Sequence, residues 1–290
     1  IPPVIRAEGK DWLVTRIAES AFQKCVSLSS VIIPRSVTSI GNNAFYLCTA
    51  LTNIVIPDSV NKIGSGAFAG CISLSEVFIP DSITRIPNNA FQGCSGLTHI
   101  DIPHNVKEIG INAFAGCTSL KYVILPNSIS KIETGAFAYS ALNGIFIPNS
   151  VTELGDKIFQ RCFLLQRVIL GDGITTIGYN TFWGCNSLMQ VTLGKNVTEI
   201  GHSAFSNCKS LRNITLGNSL INIKEQAFNS CWSLTNIVIP DNVTSIGGSA
   251  FRSCSALKSA TLGNGLTEIS DNTFKECKSL EDITLGKNIT

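Results

Sequence analysis

Leu28, Leu51, Leu74, Leu97 and Leu120 stand 23 residues apart, and so do the leucines from Leu142 to Leu280, with one spacing of 22 between the two runs. An ordinary globular core makes no such demand on its sequence. Self-similarity at a fixed period of this size marks a chain made of stacked copies of one small unit, none of which can bury its apolar face alone. A length of 290 residues therefore says little about domain count, because the period overrides the length prior.

The unit from Leu51 to Ser73 shows the pattern: L-x-x-[IV]-x-[IL]-[PG]-x-[SNG]-[VIL]-x-x-[IL]-G-x-x-A-F-x-x-C-x-S. Its opening matches the leucine-rich-repeat signature L-x-x-L-x-L, and 23 residues lies within that class's range of unit lengths. Alternation at the fourth and sixth positions, as in Ile54 and Ile56, describes a short strand with one buried face. Proline or glycine follows, as at Pro57 and Gly194, and ends the strand, since proline cannot donate to a ladder. Val60 and Ile63 give two further inward positions, which a second short strand can hold. Ala67, Phe68 and Cys71 have the spacing of about one helical turn. The expected fold is an α/β leucine-rich-repeat solenoid, curved, with a parallel sheet of short strands on its concave side and turns and short helical turns elsewhere.

Phenylalanine falls at one unit position from Phe22 to Phe137 and again from Phe159 to Phe274, which predicts a stacked aromatic ladder. Cysteine is as regular: Cys25 to Cys117, then Cys162 to Cys277, with Ser140 standing in the shortened unit. Adjacent members of such a column would be about 5 Å apart, within disulfide reach. The odd count of 11 and the serine at the same position fit a column of small buried thiols better than obligatory bond partners.

The string A-F-x-x-C-x-S-L-x-x-[IV]-x-[IL]-P-x-S-V-T-x-I-G resembles the BspA-type leucine-rich repeat family over nearly the whole chain. Ser140 for Cys, Pro87 for Gly and Ile158 for Ala are local departures that leave the fold reading intact. The resemblance implies a surface or secreted protein of host-associated microbes, with adhesion or host-protein binding as its role. The units divide as one solenoid over 1–290: a degenerate N-terminal unit or cap over 1–27, with Trp12 upstream of Ile17, Ala21, Phe22 and Cys25, eleven units over 28–279, and a truncated unit over 280–290. Opening on Ile1-Pro2-Pro3 without a signal-peptide pattern and stopping in mid-unit, the chain reads as a piece of a longer protein.

Several functions are disfavoured. Lys and Arg number 22 against 20 Asp and Glu, a formal net charge of +2 with no block of like sign, so the basic stripe that nucleic acid requires is missing. Hydrophobic residues make up 44% of the chain, yet no apolar run nears the roughly 18 residues of a membrane span. No C-x-x-C pair begins a zinc site, and no cysteine has an activating histidine in its unit. Glycines such as Gly64 and Gly110 recur without a phosphate-loop pattern and read as turn residues. Of His99, His104 and His202, only His99 lies on a strand beside an acid, Asp101, and a regular solenoid offers neither nucleophile nor pocket to complete a triad. The chain reads as a non-enzyme with no cofactor. The sequons at Asn196, Asn213, Asn242 and Asn288 follow from the unit's own wording.

Recognition should reside where the units differ. The fifth position points outward and reads Ile32, Val55, Phe78, Asp101, Ile124, Phe146, Ile169, then mostly threonine from Thr192 to Thr284. Phe78 and Phe146 are two of the three phenylalanines off the ladder, and Tyr122 occupies the neighbouring third position. With His99, Asp101, Ile124, Arg167 and Ile169 they form a candidate patch of apolar anchors and polar rim, for a protein or glycan partner. Valine and threonine there are explained by strand preference alone. Phe163, Trp183 and Trp232 fall on or near the convex turns. The alternatives are a spacer that projects another domain, or an enzyme whose catalytic part lies outside these residues.

Overall fold

A computed structural model describes residues 1–290. The chain winds into a leucine-rich-repeat β-solenoid of about 12 turns whose only regular elements are short strands. It divides into two compact units, Ile1–Ala141 and Leu142–Thr290.

Each turn contributes up to two strands. The first row in Ile1–Ala141 comprises Asn53–Val55, Glu76–Phe78, His99–Asp101 and Tyr122–Ile124, each with its central residue buried and its outer two exposed. Pairing is parallel and offset by one repeat, Ile54 with Val77 and Val123 with Ile100. In Leu142–Thr290 the row runs through Gly144–Ile147, Arg167–Leu170 and Gln190–Thr192, and then Asn236–Val238, Ser259–Thr261 and Asp282–Thr284. A second row of two-residue parallel strands, such as Arg85–Ile86 beside Glu108–Ile109, sends its isoleucines inward. The alternation seen in the sequence is thus realised twice per turn.

The A-F-x-x-C segment departs from expectation: it is a double turn and not a turn of helix. Two residues per unit have positive φ, at the positions of Gly66 and Gly70, and in other units these are Asn43 and Leu47 or Gln226 and Ser230. Such residues interrupt a right-handed helix. The N–H groups between them are also committed elsewhere. The Phe45 N–H donates to the Ala67 carbonyl of the next turn at 2.8 Å, and Leu47 to Ala69 at 2.8 Å, while Cys48 closes a tight turn onto Phe45 at 3.1 Å. This segment is therefore a third ladder running turn to turn, and it satisfies backbone groups that would otherwise be buried unpaired.

Gly64 and Gly110 open turns as expected, their carbonyls accepting from the Ala67 and Ala113 N–H groups, but neither has positive φ. A Cβ on Gly64 would lie 2.5 Å from the Gly41 carbonyl carbon, and one on Gly110 would lie 2.7 Å from the Asn88 nitrogen. Close approach of the preceding turn, and not left-handed backbone, selects glycine here.

Inside, the leucine, isoleucine, phenylalanine and cysteine columns are almost wholly excluded from solvent. In Ile1–Ala141 the Phe rings stack from Phe22 to Phe137 with centroids 5.1–5.5 Å apart and planes within 8° of parallel. In Leu142–Thr290 they stack from Phe159 to Phe274 at 5.1–5.6 Å. The spacing is that of neighbouring strands, slightly opened, and lies within the favourable range for aromatic pairs. Each buried ring stabilises by about 1.5 to 3 kcal/mol through removal from water.

At the N-terminus, Val4–Ala7 and Lys10–Leu13 form an antiparallel hairpin, all eight residues of which are exposed. Glu8 and Gly9 join them with φ of 52° and 75°, the double left-handed geometry of a tight hairpin turn. Within 1–27, Ile17 is buried, Phe22 is half-buried and Cys25 is exposed.

Candidate functional site

The first-row strands have one face in the core, and their other face carries the variable side chains. In Ile1–Ala141 those side chains are large, apolar and open to solvent: Ile124 is 78% exposed and Val55, Phe78 and Tyr122 62% each, whereas Ile54, Val77, Ile100 and Val123 on the same row are buried; Ile32, at the same repeat position in the turn before Val55, is 81% exposed. Val55 lies beside Phe78 in register, Tyr122 beside His99, and Ile124 beside Asp101. His99 and Asp101 thus set a polar step into an apolar row, and His99 Nδ1 lies 3.2 Å from the Thr98 hydroxyl. Strand pairing holds the anchors in place, so little ordering cost remains for a partner to meet.

Sequence reasoning passed over one end of this face. Between Ile32 and Val55 lies a groove of about 620 Å³, with Asn53, Arg35 and Asp58 on its margins. Ile32 belonged to the outward series and Val55 was assigned to strand preference. The signal was present in Ile32, but a groove between turns has no counterpart in a single unit's pattern.

The candidates in Leu142–Thr290 group separately. Phe146, 53% exposed, lies in register with Ile169, 39% exposed, and Gly144 with Arg167. Beyond them the outward positions are Thr192, Thr215, Val238, Thr261 and Thr284. The exposed aromatics off the strands include Trp232, whose ring has the Lys209 ammonium 4.3 Å from its centroid, and the Arg161 guanidinium sits 4.7 Å from the Trp183 ring.

The second row offers a different surface. Arg85 Nε lies 3.1 Å from Glu108 and its Nη2 3.0 Å from Glu133, while Lys131 Nζ is 3.6 Å from Glu133. This is a mutually satisfied charge ladder with little left to offer a ligand.

No disulfide joins any of the cysteines. They are more than small apolar fillers. Cys48 Sγ donates to the Phe22 carbonyl at 3.0 Å, Cys117 to Phe91 at 3.2 Å and Cys254 to Phe228 at 3.2 Å, each reaching into the turn before. Burial pushes the thiols of Cys71, Cys117 and Cys231 up to about 12, and those of Cys94, Cys185 and Cys208 well above the ordinary range. A thiol held in its neutral form is a poor nucleophile and a poor metal ligand.

A stacked Leu, Ile, Phe and Cys lattice on a 23-residue register defines a family, and the family model of the BspA-type leucine-rich repeat region matches residues 15–143, 86–210 and 175–290. The chain belongs to the BspA-type leucine-rich repeat family. Among solved structures it is similar to a leucine-rich repeat protein from Bacteroides ovatus, with 31% identity and a TM-score of 0.63 over 90% of this chain and 85% of that one. It is similar also to a leucine-rich cell surface protein from Faecalibacterium prausnitzii, with 30% identity and a TM-score of 0.62 over 98% of this chain and 86% of that one. The pneumococcal vaccine antigen PcpA shares the fold at 23% identity, with a TM-score of 0.56 over 100% of this chain and 78% of that one. A comparison with curated proteins gives no match. No helix of this BspA-type chain is long and apolar enough to cross a membrane.

Proposed function

We propose that this BspA-type chain is a non-catalytic recognition module of a bacterial cell surface, and that it grips a partner protein through the outward face of its first-row strands in Ile1–Ala141. One observation carries the reading: four large apolar side chains, Val55, Phe78, Tyr122 and Ile124, are at least 62% exposed on strands whose central residues are buried, and Ile32 in the turn before them is 81% exposed. Exposed apolar side chains on both sides of the His99 and Asp101 step, with Arg35 and Asp58 at one margin, have the composition of an interaction patch with apolar anchors and polar groups among them. Phe146, Ile169 and Arg167 provide a second, smaller group in Leu142–Thr290. The surface location is supported by the likeness to the Faecalibacterium prausnitzii cell surface protein.

The test is a pull-down from host-cell surface extracts with the wild-type chain beside the Phe78→Ser/Tyr122→Ser double variant, followed by affinity measurement on the captured protein. Loss of anchors at the centre of a patch should weaken binding by at least tenfold. A chain that acts only as a spacer would hold its partners, if any, equally well in both forms, and that result would remove the strand face as a recognition surface. Phe146→Ser/Ile169→Ser measures the second group in the same assay.

A further inference from the structure

The turns of Ile1–Ala141 carry a second concavity, unrelated to the apolar row. It measures about 430 Å³ and is lined mainly by polar side chains, at the lower end of the size range of small-ligand sites. Its origin can be read position by position. The residues at these two turn positions are Ser20 and Gln23, then Asn43 and Tyr46, then Gly66 and Ala69, then Asn89 and Gln92. The third pair is the smallest, so Gly66 and Ala69 make a floor with Tyr46 on one side and Asn89 and Gln92 on the other. Two turns separate those walls, roughly 9 to 10 Å at strand spacing.

The chemistry of the lining narrows the occupant. Gln23, Asn42, Asn43, Asn89 and Gln92 each present both a donor and an acceptor, as do the hydroxyls of a sugar. Asn42 is already oriented, its Oδ1 accepting the Ser65 N–H at 2.9 Å, which leaves its NH2 group for a ligand. The backbone donors of the floor are spent within the ladder, Gly66 on Asn88 and Gly70 on Gln92, so recognition falls to side chains. Tyr46 adds a ring with an apolar face and a polar tip. The sole charged group is Glu19, a carboxylate that accepts hydroxyl hydrogens and repels anions. One carboxylate among amides does not make a cation site, and no cluster of three metal-ligating side chains exists. Too little of the lining is apolar for a lipid or an aromatic compound.

We infer that this groove binds a neutral saccharide, roughly one or two pyranose rings in size, held by the amides and stacked on Tyr46. The site shares no residue with the strand face.

Isothermal titration of the whole chain with maltotetraose, cellotetraose, mannotetraose and chitotetraose, up to about 10 mM sugar, provides the test. At least one sugar should bind. Two variants are chosen because the fold already accepts them: position 19 of the repeat is alanine at Ala115 and Ala138 and glutamine at Gln23 and Gln92. Tyr46→Ala removes the platform and Ala69→Gln fills the floor, and each should weaken binding at least tenfold with an unchanged melting temperature. Phe78→Ser/Tyr122→Ser should bind sugar as wild type does. No binding across the panel, equal affinity in Tyr46→Ala and Ala69→Gln, or preference for sialyllactose over every neutral sugar would overturn the assignment.

Discussion

Within Ile1–Ala141 the outward repeat position presents Ile32, Val55, Phe78 and Ile124 to solvent around Asp101. Within Leu142–Thr290 the same position begins with Phe146 and Ile169 and then gives way to threonine, with Val238 the exception. The interiors of the two units show no such divergence: ring spacings, thiol-to-carbonyl contacts and left-handed turn positions recur in both. A residue facing the core must fit the turn before and the turn after, so changing one disturbs three. A residue facing outward meets no such constraint. The difference between the units therefore falls on the outward positions, which packing leaves free, and their sameness on the inward positions, which packing fixes.

The interior half of that comparison is broken most directly in the ring stack. Phe91→Ala and Phe205→Ala each open a cavity between two further rings, and each should cost about 3 to 5 kcal/mol, as read from urea unfolding. Equal losses in the two units support a common lattice, whereas a loss below about 1 kcal/mol in either would show a core that tolerates gaps.

The thiol column gives a smaller effect, graded by pH. Folded-state values of about 12 at Cys71, Cys117 and Cys231 and about 11 at Cys277 lie above the ordinary thiol value of about 8.5. Each such thiol favours the folded chain while it stays protonated. That contribution is intact below about pH 8.5 and is lost as the pH rises towards 11 and 12. Unfolding midpoints in urea should fall between pH 8 and pH 11, and at pH 8 an alkylating reagent should modify exposed Cys25 long before the buried members in either unit. Rapid labelling of Cys94 or Cys208 in the native state would contradict the neutral, buried column.

The outward half should barely register in stability. Phe78→Ser and Thr261→Ser are each expected to change it by no more than about 0.5 kcal/mol, yet only Phe78→Ser should change partner affinity. Equal affinities would erase the functional distinction between the two rows while leaving the structural one in place.

The inward lattice was legible because a side chain that recurs every 23 residues must meet its own copies, whatever the backbone between them does. The backbone that carries Ala67, Phe68 and Cys71 is not legible in the same way. Their spacing suits a helical turn, but the residues that forbid a helix, such as Leu47, Gln226 and Lys24, are not types that advertise positive φ. Their conformation is imposed by hydrogen bonds to the next turn, which local sequence does not encode. The outward direction of Phe78, Tyr122 and Phe146 followed from two-residue alternation. The groove beside Ile32 and the polar hollow over Gly66 did not, since each is a difference between successive turns and not a property of any one.

The backbone ladders have a mechanical consequence. In each unit the bonds that hold a turn reach residues about 22 to 26 positions away, so a terminal turn can detach without disturbing the turns behind it. Under tension each unit should yield stepwise, every released turn paying out 23 residues, or about 80 Å of extended chain. Such a molecule would lengthen under load turn by turn while the turns still wound kept their packing.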